Sequence, residues 1–168
     1  MIYLIGNHPM QTTAAAAVVT TGTAIKTMLQ VKLLVPAKII EWGISFDGLA
    51  AATPGKIELL ESGTVFGTVT ASAAADISGI DGDALLFGDP TTNLISVGIS
   101  ATGYTCTSEG SITATRDLTG PQLIAPTNQF IQQFPLGQEP LVQAAKAMRI
   151  RVTFGAAINA YCYVKLAF

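Results

Sequence analysis

Charge is scarce in this sequence. Asp, Glu, Lys and Arg make up 12% of the 168 residues, about half of the ~25% usual for a soluble domain. A surface so poor in charge tends to be covered by another subunit or a scaffold. The net charge is −2 and the basic residues form no run, which argues against nucleic acid as a direct partner, since phosphate contacts need clustered Lys and Arg. Histidine is almost absent. A Ser-His-Asp relay would have to use His8, which stands beside Pro9 in a segment expected to be an arm, with no rigid support for an imidazole. A zinc centre needs three or four His, Cys or carboxylate ligands; one His and two distant cysteines, Cys106 and Cys162, do not supply them. The cysteines form neither a CxxC pair nor a disulfide framework, and Cys162 reads as a buried free thiol. No apolar run approaches the ~18 residues of a membrane span. The opening MIYLIGNHPM lacks a basic start and breaks at Gly6–Pro9, so it does not read as a signal peptide.

What is present is alternation with a period of two. The clearest case is Ala37–Gly48, where Ile40, Trp42, Ile44 and Phe46 fall on one face and Glu41, Gly43, Ser45 and Asp47 on the other. Met148–Phe154 alternates as cleanly, with Ile150 and Val152 inward and Arg149 and Arg151 outward. The final stretch, Asn159–Phe168, puts Cys162 and Val164 on its apolar face. Ile40, Trp42, Ile44, Phe46, Ile150, Val152 and Cys162 are therefore expected to organise the core. Lys56–Glu61 and Thr64–Ala71, joined by Ser62-Gly63, read as a β-hairpin. Nine to eleven strands in all, with no helix-period segment, predict an all-β protein: a jelly-roll-like antiparallel β-sandwich over residues 23–168. Residues 1–22 read as an extended N-terminal arm. Ala73–Asn93 reads as an exposed acidic loop carrying Asp76, Asp81, Asp83 and Asp89, with a short strand or one helical turn at Ala84–Phe87.

No motif carries chemistry. Asp81-Gly-Asp83 with Asp89 lacks the acids of a calcium loop, whose places hold Leu85 and Thr92. Gly98-Ile-Ser100-Ala-Thr-Gly103 is not a nucleophile elbow, because its last glycine is displaced by one. Glu41 and Asp47 lie about 20 Å apart along one strand, beyond the ~10 Å of a glycosidase pair. Arg149 and Arg151 are expected at the surface, with Glu139 as an ion-pair partner. Phe130, Phe134, Tyr161 and Tyr163 are either a sugar-stacking platform or packing residues. The expectation is a protein with no catalytic, cofactor-binding or metal-binding residues.

Several segments together resemble a family of small structural proteins encoded by tailed double-stranded DNA bacteriophages. They are EWGISFDG (Glu41–Gly48), SATGYT (Ser100–Thr105), APTNQF with FPLG (Ala125–Phe130 and Phe134–Gly137), RIRVT (Arg149–Thr153) and NAYCYV (Asn159–Val164). The resemblance covers roughly residues 38–164. It implies a virion component, above all a capsid decoration (cement) protein, with a tail or baseplate module or a head-fibre base as alternatives. Such a protein is made in the host bacterial cytoplasm and binds the major capsid protein on the outer capsid surface. It needs no cofactor, nucleic acid or membrane. Jelly-roll subunits often pack about a threefold axis, so a homotrimer is expected. Ile2, Tyr3, Leu4, Ile5, Val18 and Val19 of the arm are then candidate contacts to capsid or subunit. A carbohydrate-binding β-sandwich is the competing class.

Overall fold

The computed structural model describes residues 1–49, 52–82, 88–109, 111 and 113–168. In chain order the strands are β1 (Ile2–Gly6), β2 (Val19–Thr20), β3 (Lys26–Leu33), β4 (Ala37–Phe46), β5 (Gly55–Ser62), β6 (Thr68–Ala71), β7 (Ile77–Gly79), β8 (Ile95–Ser96), β9 (Gly103–Ser108), β10 (Ala114–Asp117), β11 (Gln122–Ile124), β12 (Gln129–Gln133), β13 (Leu141–Val142), β14 (Ala147–Thr153) and β15 (Asn159–Ala167). Among the described residues a 3-10 turn, Ala74–Asp76, and a short helix, α1 (Pro90–Asn93), interrupt them.

Two antiparallel sheets face each other. The first has the order β12-β4-β15-β1-β7, with β13 beside β4 and β2 beside β15. The second has the order β10-β5-β14-β3-β9-β6, with β11 beside β5 and β8 beside β3. Eight framework strands, β1, β3, β4, β5, β10 with β11, β12, β14 and β15, explain this order. Numbered along the chain, they run 1-8-3-6 in one sheet and 2-7-4-5 in the other. That is the strand order of a jelly roll. Residues 63–113 are an insertion between the fourth and fifth framework strands. They extend the first sheet with β7 and the second with β9 and β6.

Apolar side chains from both sheets fill the space between them: Ile39, Trp42, Ile44, Cys162, Val164 and Leu166 from one, Leu29, Val31, Leu33, Ile57, Leu59, Met148, Ile150 and Val152 from the other. Burying a large side chain of this kind stabilises by roughly 1.5–3 kcal/mol. Trp42 is fully buried, its ring 5.1 Å from that of Phe130 and its indole N–H donating to Gln132 Oε1 at 3.2 Å.

Ile40, which simple alternation assigns to the core, is not a core residue. Lys165 pairs with Glu41 and the next residue, Leu166, pairs with Ile39, so Ile40 is the extra residue of a β-bulge. The bulge shifts the phase of β4, so that Ile39 is buried before it and Trp42 after it. Phe46 is half-buried at the core margin, 4.9 Å from Phe154. A second bulge, at Met28 opposite Ile150 and Arg151, buries Met28 as well as Leu29.

The N-terminus is not an arm over its first residues. β1 lies inside the first sheet, between β15 and β7, with Ile2 opposite Ala167 and Gly6 opposite Tyr163. Tyr3 and Ile5 are core residues. Asn7, fully buried, anchors the turn that follows: its side chain donates to Ala160 O and accepts from Cys162 N. Residues 7–18 form no strand, and Val19 in β2 pairs with Ala160. The extended segment is thus shorter than the sequence suggests, and the sandwich begins at β1.

The expected hairpin of Lys56–Glu61 with Thr64–Ala71 does not form. β6 pairs with β9, while β5 lies between β14 and the β10–β11 edge. The acidic stretch is also more ordered than a free loop. Asp76 Oδ1 accepts from Met10 N at 2.7 Å and its Oδ2 from Ala73 N at 2.8 Å. Asp81 lies 3.5 Å from the N-terminal ammonium. Asp89 caps α1 by accepting from Thr91 N at 2.8 Å. Asp83 and Ala84–Phe87 lie outside the described residues.

Replacing Trp42 with Ala should cost about 3–5 kcal/mol through lost burial and the cavity left behind, read as a lower urea midpoint. Deleting residues 1–6 removes an interior strand, and far-ultraviolet circular dichroism should show loss of the cooperative β-fold.

Candidate functional site

The two sheets differ in what covers their outer faces. On the second sheet Thr27, Gln30, Leu60, Ser62 and Arg149 point away from the core, yet all are buried. The insertion meets three of them, Gln30, Thr27 and Arg149. Gln30 Nε2 donates to Ala101 O at 2.6 Å, and Gln30 Oε1 accepts from Gly67 N at 3.0 Å. The Glu109 carboxylate accepts from the backbone N–H of Thr27, from Thr27 Oγ1 at 2.9 Å and from Arg149 Nη1 at 3.2 Å. Arg149 is therefore not a surface residue, and Glu139 is not its partner. Arg151 Nε donates to Glu58 Oε2 at 2.9 Å, and Glu139 lies 3.6 Å from Lys38. Sequence reasoning missed this because outward alternation identifies a face and not what lies over it.

At one end of the sandwich the bonds around Glu61 close the gap between β5, β10 and the segment leading to β14. The carboxylate is completely buried and accepts from Arg116 Nε at 3.1 Å, Lys146 Nζ at 3.1 Å and Thr115 Oγ1 at 3.0 Å. Burial alone would raise its pKa; the hydrogen bonds from Arg116, Lys146, Gln143 and Thr115 outweigh it and hold the pKa at about 2. This is a structural ion cluster.

The outer face of the first sheet is open. It presents Leu4 and Gly6 of β1, Glu41, Gly43 and Ser45 of β4, Tyr161, Tyr163 and Lys165 of β15, and Gln129, Ile131 and Gln133 of β12. Tyr163 lies across Gly43, directly opposite it in the ladder; a Cβ at Gly43 would stand 2.7 Å from the ring. The Tyr163 hydroxyl donates to Glu41 Oε1 at 2.6 Å and Lys165 Nζ lies 2.8 Å from the same oxygen. Lys165 first and Tyr163 second lower the Glu41 pKa. Burial and the Glu41 carboxylate push Tyr163 up to about 12. Both lysines of this face thus have carboxylate partners, Lys165 with Glu41 and Lys38 with Glu139, and the face is close to neutral.

Residues 8–11 rim a groove on this face. His8 packs edge-on against Tyr161, with ring centroids 5.7 Å apart, and the Tyr161 hydroxyl donates to the Ala16 carbonyl. The groove holds about 460 Å³ and is lined by Leu4, Gly6, His8, Met10, Gln11, Asp76, Ser78, Tyr163 and Lys165. Asp76 is occupied by backbone N–H groups and Lys165 by Glu41, so the groove offers shape and apolar surface rather than an acid–base pair. Gly6 and Ser78 escaped sequence reasoning because only the pairing of β1 brings them beside Tyr163 and Lys165; Leu4, expected as a contact residue of an arm, lies here within β1.

The four candidate stacking aromatics do not form one platform. Phe130 and Phe134 pack inward against the core, whereas Tyr161 and Tyr163 face outward. Ile2 and Leu4 are half-buried on the open face, and Val18 is exposed. Both cysteines are free and buried, and burial raises both thiol pKa values. Among the described residues no group of three or more His, Cys, Asp or Glu side chains is placed to hold a metal ion, and no helix is long and apolar enough to cross a membrane.

No protein-family model, curated protein or solved structure matches the chain.

Glu61 yields a pH-dependent prediction. Its folded pKa of about 2 lies below the ordinary glutamate value, so its contribution to stability is full above that ordinary value and is lost as pH falls toward 2. Glu61→Gln should destabilise the protein by about 1–3 kcal/mol at pH 7, because its charge-assisted hydrogen bonds weaken while Arg116 and Lys146, both partly exposed, can turn to water. The deficit should shrink between pH 5 and pH 2 in urea titrations.

Proposed function

We propose that this protein is a virion structural component, a capsid decoration protein that binds the assembled head of a tailed phage and acts without catalysis. The observation that carries this reading is the contrast between the two outer faces. One is covered over its centre by the chain's own insertion; the other is covered only in part, by His8–Gln11 and Ala16, and is nearly neutral and partly apolar, with Leu4, Tyr163 and Ile131 available for contact. A neutral face of this kind suits burial against a partner, because few charges must be stripped of water. The low overall charge and the sequence resemblance of residues 38–164 to phage structural proteins support the same reading. The long acidic stretch is tied to Met10 by Asp76 and to the N-terminal ammonium by Asp81, so the outer face of the first sheet, rather than that stretch, is the contact surface in this proposal.

A carbohydrate-binding module is the second reading. The groove beneath His8–Gln11 favours it, with an apolar floor and the Tyr163 ring at its side.

Co-sedimentation of the purified protein with empty heads of the phage that encodes it tests the proposal. Binding should saturate and persist as salt is raised, since the charges of the face are already paired. Leu4→Glu should weaken binding at least tenfold while leaving the circular dichroism spectrum intact. Absence of saturable binding to heads overturns the proposal, and saturable binding on a glycan array in its place supports the second reading.

A further inference from the structure

The edge strands of a sandwich carry unpaired backbone groups, and proteins usually blunt them with charge, proline, bulges or brevity. Three of the four edges here are blunted. β7 has three residues. β6 has four, with a register shift against β9. The β10 edge carries Arg116 and Asp117 and a register shift against β5.

β12 has none of these defences. It runs Gln-Phe-Ile-Gln-Gln, pairs with β4 over five regular positions, and contains no charge and no proline. The Phe134 N–H just beyond it donates to Ile40 O of β4 at 2.9 Å. By the alternation of an antiparallel ladder, Phe130 and Gln132 also bond toward β4, while the N–H and C=O groups of Gln129, Ile131 and Gln133 point away from the sheet. The side chains of those three residues lie on the open face and are exposed, Ile131 by 53%.

We infer that β12 pairs antiparallel with β12 of a second copy of this chain, about a twofold axis at Ile131. The register is self-complementary. Ile131 meets Ile131, Gln129 meets Gln133, and no charge is set against another. All three outward-pointing residues sit at hydrogen-bonded positions, giving about six backbone hydrogen bonds across the axis. The Gln and Ile side chains form cross-strand pairs on the open face. The two first sheets then become one continuous sheet with a doubled open face. The contact rests on one five-residue strand from each copy, less than the ~1,200–2,000 Å² of a stable interface calls for, so the dimer should be weak, with Kd of about micromolar or above. This inference goes beyond the decoration reading and does not need it, because its test uses the purified chain alone.

Sedimentation velocity on the full chain, from roughly 1 µM to roughly 1 mM, should show a reversible monomer–dimer equilibrium. Ile131→Lys, which sets two like charges side by side at the axis, should raise Kd at least tenfold while the circular dichroism spectrum and thermal midpoint stay near wild type. Amide exchange reads the register without any substitution. The Gln129, Ile131 and Gln133 amides should exchange quickly in dilute solution and be slowed at high concentration, whereas those of Phe130, Gln132 and Phe134 should be slow in both. A species that is monomeric throughout, a trimer, or a dimer in which the Gln129, Ile131 and Gln133 amides stay fast overturns the inference.

Discussion

The pairing of β15 with β4 on one side and β1 on the other is the contact on which the rest of the structure depends. It joins Ile2 to Ala167 across nearly the whole chain and sets Cys162 opposite Ile44. One strand thereby supplies both products of the sheet. Its even-numbered residues, Cys162, Val164 and Leu166, enter the core, and its odd-numbered ones, Tyr161, Tyr163 and Lys165, make the open face. Asn7 secures the same strand from the side by satisfying Ala160 O and Cys162 N. Contacts so distant in sequence carry a high loop-closure cost before they stabilise anything, so folding is expected to be slow for a chain of this size.

Polar groups decide how the insertion sits. An outward face containing Thr27, Gln30 and Arg149 would ordinarily be solvated. Here Gly67, Ala101 and Glu109 meet those side chains with specific hydrogen bonds. A buried polar group costs stability unless it is bonded, so these partners hold the insertion in one position. Arg149 is incompletely served, with Nε and Nη2 lacking a partner among the described residues. Glu61 plays a comparable role at the end of the sandwich, where its bonds to Arg116 and Lys146 close the gap between the β10 edge and the entry to β14.

With much of one face covered in this way, the proposed contact falls to the other. The open face and the β12 edge adjoin each other, and Ile131 belongs to both. A partner seated on the face and a second copy on the edge would therefore be neighbours, and doubling the face by edge pairing would strengthen attachment through effective concentration even where each contact is weak.

Much of the fold was legible in the sequence, because alternation is a local property. Strands around Trp42, Ile150 and Cys162, the lack of helix and the sandwich class follow from the period of two and the turn residues between strands. The exposed sides of β12 and β15 were equally visible as the opposite phase of those patterns. What lay beyond reach were the features set by a second, distant segment. Ile40 leaves the core because Lys165 and Leu166 pair with Glu41 and Ile39 around it. Residues 2–6 are an interior strand and not an arm because β15 and β7 flank them. Arg149 is buried because Glu109, distant in sequence, lies over it. The sequence by itself determined which residues could face a core, since a side chain's polarity and its place in a strand are local. Only the tertiary structure decided which outer face stayed open and which edge stayed free, because those depend on where residues 1–6 and 63–113 come to rest.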